Sequence, residues 1–208
     1  MKILGLTGPT GSGKAVVGQA LSARGIPVLD TDAVYHGWID KPTPCTEELA
    51  SAFGKEILAP NGSVDRRCLS SIVFSGDTEE EGRLQLLNRI THRYVLESCR
   101  AWLAEQEKSG RRAAVIDAPL LIEAGLHRSC DHVIAVLAPR NVRLERVMVR
   151  DGISRDRAEA RVSAQKSDEF YCDHADFVFV NDGSLIDAER FAEDFISKIL
   201  PQQNTFKE

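Results

Sequence analysis

The feature that most constrains this chain is Gly8-Pro9-Thr10-Gly11-Ser12-Gly13-Lys14, which directly follows the short apolar run Ile3-Leu4-Gly5-Leu6-Thr7. The run reads as a strand, and the residues from about Lys14 to Ala23 read as a helix. Glycine lets the backbone between them curl so that successive amides point inward and form a nest for phosphate oxygens. The helix adds unpaired N–H groups and the positive end of its dipole. Lys14 supplies a point charge for the outer phosphates. This is Gly-x4-Gly-Lys, a phosphate loop, and the pattern ordinarily continues with a Ser or Thr whose hydroxyl binds Mg²⁺. Here that position is Ala15. The three fixed residues arise by chance in about one chain in twenty of this length, with glycine at its usual frequency. A flexible glycine turn would match the same pattern. The strand before it and the helix after it favour a nucleotide phosphate site.

Strands and helices alternate from there, which predicts an α/β fold on a five-stranded parallel sheet flanked by helices. Gly25-Ile26-Pro27-Val28-Leu29-Asp30 reads as a second buried strand, leading into Asp30-Thr31-Asp32. In an open parallel sheet, ligands sit beyond the carboxyl ends of the strands, so these acids belong beside the glycine loop. Asp30 suits a helix cap. Asp32 suits catalysis, because transfer to a hydroxyl needs a carboxylate within its reach. Ala113-Ala114-Val115-Ile116-Asp117 is the third strand, and an acid at its end fits an aspartate that holds Mg²⁺ through water. A capping aspartate would look the same. Ala118 to Glu123 is an apolar stretch that either walls an acceptor pocket or covers the core. His132–Leu137 is the fourth strand, ended by Ala138-Pro139. Phe177–Val180 is the fifth, ending at Asn181-Asp182-Gly183. A last helix is expected over about Leu185–Leu200, and the residues from Pro201 onward are expected to fray.

No strand is expected between Ala33 and Gly110. Pro42 and Pro44 break the chain, Thr46–Phe53 reads as a helix stopped by Gly54, and Pro60-Asn61-Gly62-Ser63 reads as a turn. Helical stretches follow over about Asp65–Val73 and Glu79–Gln106. This insertion is too long for a simple crossover and suits a binding surface for a second substrate. Beyond the fourth strand, Arg143, Arg146 and Arg150 are spaced to share one helix face. Gly152 interrupts, and Ser154 is placed to cap a second helix carrying Arg155, Arg157 and Arg161. Two arginine-rich helices about a glycine hinge suit a lid that closes over phosphates. The plainer reading is a pair of solvated helices balanced by Glu145, Asp151, Asp156 and Glu159. The chain is therefore read as one domain over residues 1–208, with a core of 1–32, 111–139 and 171–208. The helical insert covers 33–110 and the lid 140–170.

The formal net charge of −5 argues against a nucleic-acid-binding surface. Cys45, Cys68, Cys99, Cys130 and Cys172 are odd in number and form no Cys-x-x-Cys pair, which suits reduced thiols in a cytoplasmic protein. The five histidines show no metal-ligand spacing. The N-terminus is too short for a signal peptide, and no apolar run approaches the roughly 20 residues that cross a membrane. No membrane association is expected.

Together these features describe a nucleoside-monophosphate-kinase-like fold. Within it the sequence resembles the dephospho-coenzyme A kinase family from Ile3 to about Asn181. The resemblance rests on Gly11-Ser12-Gly13-Lys14, Leu29-Asp30-Thr31-Asp32, Leu87-Asn88-Arg89-Ile90-Thr91-His92 and the string from Asp117 to Leu126. A late set completes it: Arg146, Arg150-Asp151-Gly152, Arg161, Gln165 and Ala175-Asp176-Phe177-Val178. It implies transfer of the γ-phosphate of ATP, with Mg²⁺, to the ribose 3′-hydroxyl of dephospho-coenzyme A. On that reading Gly8, Gly11, Ser12, Gly13, Lys14, Ala15 and Val16 surround ATP, and Asn181 packs near its adenine. Asp32 accepts the hydroxyl proton, while Lys14, Arg143 and Arg146 stabilise the transferred group. Asp32, His92, Asp117, Leu120, Leu121, Glu123 and Arg161 meet the acceptor, and Asp32 or Asp117 holds the metal through water. The chain departs from the family at Ala15, at Val16, where a second hydroxyl is usual, and at Arg93, where Pro is usual. The loss at Ala15 implies a metal-weakened kinase. The rival readings are a nucleotide-binding protein with little turnover and a related small-molecule kinase. A monomer or weak homo-oligomer is expected.

Overall fold

The structure is a computed structural model that describes residues 1–200. The expectation for the residues from Pro201 onward lies outside the described residues. Five strands, β1 Lys2–Thr7, β2 Val28–Asp30, β3 Ala113–Asp117, β4 His132–Leu137 and β5 Phe177–Val180, form one parallel sheet in the order β2-β3-β1-β4-β5. The helices are α1 Lys14–Ala23, α2 Thr31–Ile39, α3 Pro44–Phe53, α4 Arg66–Val73, α5 Glu80–Lys108, α6 Arg140–Asp151, α7 Arg155–Ser163, α8 Asp168–Asp173 and α9 Leu185–Ile199.

Strand side chains alternate between the two faces of the sheet. Leu4, Leu6, Val115, Ile134 and Val136 point to one face and bury against Val17 and Leu21 of α1 and Phe195 of α9. Ala135 and Leu137 point to the other, where they meet Ile122 and Tyr171. Covering on both sides is what the near-continuous apolar runs of central parallel strands encode. β2 differs from the buried strand expected over Gly25–Asp30. It is three residues long, lies at the end of the sheet order, and its side chains are half-buried or exposed. Pro27 has no N–H for a ladder, although its carbonyl accepts from Val115 N at 2.8 Å.

The chain divides into two compact units, residues 1–29 with the chain from Gln106 onward, and residues 30–105. The second unit has its own core, built from Ile39, Leu49, Phe53, Ile57, Leu69, Val73 and Ile90 among others. Asp30 caps α2, its carboxylate accepting from the Asp32 and Ala33 amides. Thr43 and Thr46 form a reciprocal capping box, so α3 begins at Pro44 and not at the expected Thr46. Pro is tolerated there because a first-turn N–H has no helical partner in any case. In the first unit, Leu144 and Val147 of α6 pack on Ala158 and Val162 of α7. Ser154 stands at the start of α7, but its side chain makes no capping bond. The short helix α8 has no counterpart in the sequence reading, since six residues are too few to display a helical period. No helix among the described residues is long and apolar enough to cross a membrane.

Candidate active site

The glycine loop joins the carboxyl end of β1 to the amino end of α1. Gly11 and Gly13 adopt φ of 79° and 83°, a region that L side chains rarely enter. A Cβ on Gly11 would lie 2.6 Å from the Arg143 carbonyl oxygen, and one on Gly13 would lie 2.3 Å from Asn181 Nδ2. Close approach and backbone sign both require glycine at these positions. The first turn of α1 carries no acidic residue, and no side chain caps it. Its amide end and dipole therefore remain suited to an anion.

The register of β1 with β3 sets Asp117 opposite Leu6, at the mouth of the sheet. Lys14 Nζ lies 2.9 Å from Asp117 Oδ1, with the two side chains 18% and 14% exposed. Three arginines of α6, Arg143, Arg146 and Arg150, reach the loop. Arg143, buried, donates from Nε to the Thr10 carbonyl at 3.1 Å and approaches Asp168 at 3.4 Å. Its Nη2 is buried without a hydrogen-bond partner. Burial is the main influence on this guanidinium and lowers its pKa from the usual value, with Asp168 opposing. Arg146 donates from Nη1 to the Gly11 and Ser12 carbonyls at 3.3 and 3.1 Å, and from Nη2 to Asn181 Oδ1 at 3.3 Å. Arg150 reaches Thr10 Oγ1 at 3.3 Å and pairs with Asp151 at 2.7 Å. Asp151 also takes Arg161, and its hydrogen bond from Arg150 holds its carboxyl below the ordinary aspartate value.

Lys14, Asp117, Arg143, Arg146 and Asn181 thus converge on one loop. Leu120 and Leu121, paired in the sequence reading, part company. Leu120 is 54% exposed, whereas Leu121 is fully buried against Gly5. Leu121 is therefore a packing residue and not a pocket wall. Glu123 is exposed, and Arg161 is engaged by Asp151. Asp32 and His92 belong to the 30–105 unit. Asp32 is exposed in the first turn of α2, two residues beyond β2. His92 is half-buried on α5, and burial lowers its pKa. The sequence reading did not single out Thr10 or Asp168. Thr10 is one of the variable positions inside Gly-x4-Gly, and Asp168 begins the unforeseen α8, so neither carries a local signal.

Among the described residues, no three His, Cys, Asp or Glu side chains gather as a metal cluster. One carboxylate beside Lys14, with no oxygen at Ala15, fits an ion that arrives with its nucleotide and keeps several waters.

A lysine and buried arginine charge around an anion nest are suited to phosphoryl transfer, in which positioning and charge neutralisation supply most of the rate. The fold and site define a phosphate-loop kinase. The sequence profile of the family described as dephospho-CoA kinase matches residues 2–187, and the chain belongs to that family. It is 39% identical over 184 residues to the dephospho-CoA kinase of Anaeromyxobacter dehalogenans, covering 88% of this chain and 85% of the relative. It is 36% identical over 201 residues to that of Corynebacterium glutamicum, covering 97% and 98%. The solved dephospho-CoA kinase of Campylobacter jejuni superposes with a TM-score of 0.69 at 25% identity, covering 96% of this chain and 98% of that one.

Proposed function

We propose that this protein transfers the γ-phosphate of ATP to the ribose 3′-hydroxyl of dephospho-CoA, giving CoA and ADP. The observation that carries the reading is the convergence of Lys14, Asp117 and Arg143 on the glycine loop of a dephospho-CoA kinase chain. The loop amides and Lys14 bind the β- and γ-phosphates. Arg143 offers its buried, uncommitted Nη2 to developing phosphoryl charge. Asp32, just past the carboxyl end of β2, accepts the proton of the attacking hydroxyl. His92, Leu120, Glu123 and Arg161 meet the acceptor, with the 33–110 insert as its platform and 140–170 as the lid. The metal is Mg²⁺, which would supply positive charge that offsets the charge of the phosphates. Asp117 and Asp32 would hold it through water. Because Ala15 supplies no hydroxyl, the ion is held less firmly than a Ser or Thr would hold it. The free cysteines among the described residues support a cytoplasmic setting.

The test is ADP release with ATP, Mg²⁺ and dephospho-CoA, beside Asp32→Asn. Release that depends on the acceptor and falls about 10²–10⁴-fold in the variant supports the reading. Tight ATP binding with no acceptor-dependent release overturns it in favour of a nucleotide binder.

A further inference from the structure

Asn181 is the first residue after β5 and is 3% exposed. Its backbone N–H donates to the Leu137 carbonyl at 2.8 Å, tying it to the end of β4. Its side chain is committed at both ends. Nδ2 donates to the Ser12 carbonyl at 2.9 Å, while Oδ1 accepts from Arg146 Nη2 at 3.3 Å and from the Gly183 amide at 3.1 Å. The opposite amide orientation would set oxygen against the Ser12 oxygen and nitrogen against a guanidinium, so the partners fix the assignment. Arg146 Nη1 reaches the same Ser12 carbonyl and that of Gly11. Two donors from chain segments remote from the loop thus hold one loop carbonyl.

We propose that Asn181 and Arg146 act as one positioning unit that holds the phosphate loop in its anion-binding conformation. Asn181 then serves the loop and not the adenine. The physical link is the planar trans peptide, in which a carbonyl and the following N–H point in opposite directions. Drawing the Ser12 carbonyl outward to Asn181 and Arg146 turns the Gly13 N–H the other way, into the nest. It also keeps the negative end of that peptide dipole away from phosphate. The tightness at Gly13 belongs to the same device, since its missing Cβ is what lets Asn181 Nδ2 approach. The inference rests on the nucleotide site proposed above and adds that its shape is imposed from α6 and the end of β5.

The experiment is calorimetric binding of ADP and, separately, of pyrophosphate, which has no base, to the full chain. Asn181→Asp is nearly isosteric and keeps a partner for Arg146, but it places an oxygen where Nδ2 faced the Ser12 carbonyl. Both probes should bind about ten- to a hundredfold more weakly, the cost of turning a buried bond into an unpaired acceptor. KM for ATP should rise in step while KM for the acceptor stays unchanged. Asn181→Ala, Arg146→Ala and their double variant complete a cycle, and the double variant should bind about as weakly as the worse single. A loss confined to ADP, with pyrophosphate unaffected, would overturn the proposal in favour of adenine contact. Losses that multiply in the double variant would overturn the single unit. If Asn181→Ala does not fold, the Asn181→Asp comparison of the two probes still decides. Neither probe involves dephospho-CoA, so a protein that binds both without turnover would sink the proposed activity and leave this inference standing.

Discussion

Lys14 Nζ stands 2.9 Å from Asp117 Oδ1, a cation from the start of α1 against an acid at the end of β3. Both side chains are largely withdrawn from water, so the attraction is less screened than at the surface. On the proposed reading, this pair orders the long lysine side chain before a phosphate arrives. Lys14→Met removes that charge and the cation beside Asp117. We expect kcat/KM to fall about 10²–10³-fold, the range for losing one preorganised electrostatic contact. Unfolding in urea should show a loss of about 1–2 kcal/mol. Unchanged kcat/KM would remove Lys14 from the chemistry.

Ala15 is exposed in the first turn of α1, so a hydroxyl there meets no packing obstacle. Ala15→Ser should lower the Mg²⁺ concentration needed for half-maximal rate severalfold, because a direct oxygen replaces a water in the ion's shell. The melting temperature should stay within a degree or two, as expected of a surface change. An identical Mg²⁺ titration in the two proteins would mean that Ala15 costs this enzyme nothing.

Leu120 and Leu121 are neighbours in sequence with opposite environments, 54% and 0% exposed. Leu121→Ala should cost about 2–4 kcal/mol of stability, since it empties space against Gly5. Leu120→Ala should leave stability within about 0.5 kcal/mol and instead raise KM for the acceptor. Denaturant melts and steady-state kinetics on the pair separate the two roles. Equal stability losses would refute the assignment.

Asp131 joins the starts of β1 and β4. Its Oδ2 accepts from the Ile3 amide at 2.7 Å and its Oδ1 from Lys2 Nζ at 3.1 Å. The Ile3 hydrogen bond is the chief reason its pKa is lowered from 3.8. A carboxyl depressed on folding adds stability above its unfolded pKa and loses it as pH falls through the folded value. The side chain is 35% exposed, so solvent screening keeps the effect small, about 0.5 kcal/mol at neutral pH. The wild type should exceed Asp131→Asn by a constant amount from pH 7 to about pH 5, and the gap should close below about pH 4. Urea unfolding across that range checks it. A gap that persists at pH 2 would assign the effect to geometry and not charge.

The extents of β1, α1, β3, β4 and β5 were all legible in the sequence. Apolar runs bounded by glycine, proline or an acid are local signals, and strand burial on both faces needs nothing beyond them. The phosphate loop was legible for the same reason, as its glycines answer to backbone sign and close approach. The resemblance supplied the family, and the profile matched over residues 2–187 bears it out. The truncation of β2 to a short edge strand was decided elsewhere, as was the split between Leu120 and Leu121. The capture of Arg161 by Asp151 was also set by tertiary packing. The clearest case is the support of the loop. Arg146 and Ser12 are 134 positions apart and Asn181 and Ser12 are 169 apart, yet they share one carbonyl oxygen. No local periodicity encodes such a meeting. It exists because the parallel sheet brings the ends of β1, β4 and β5 to one edge, where buried donors and acceptors must find one another or lose their hydrogen bonds.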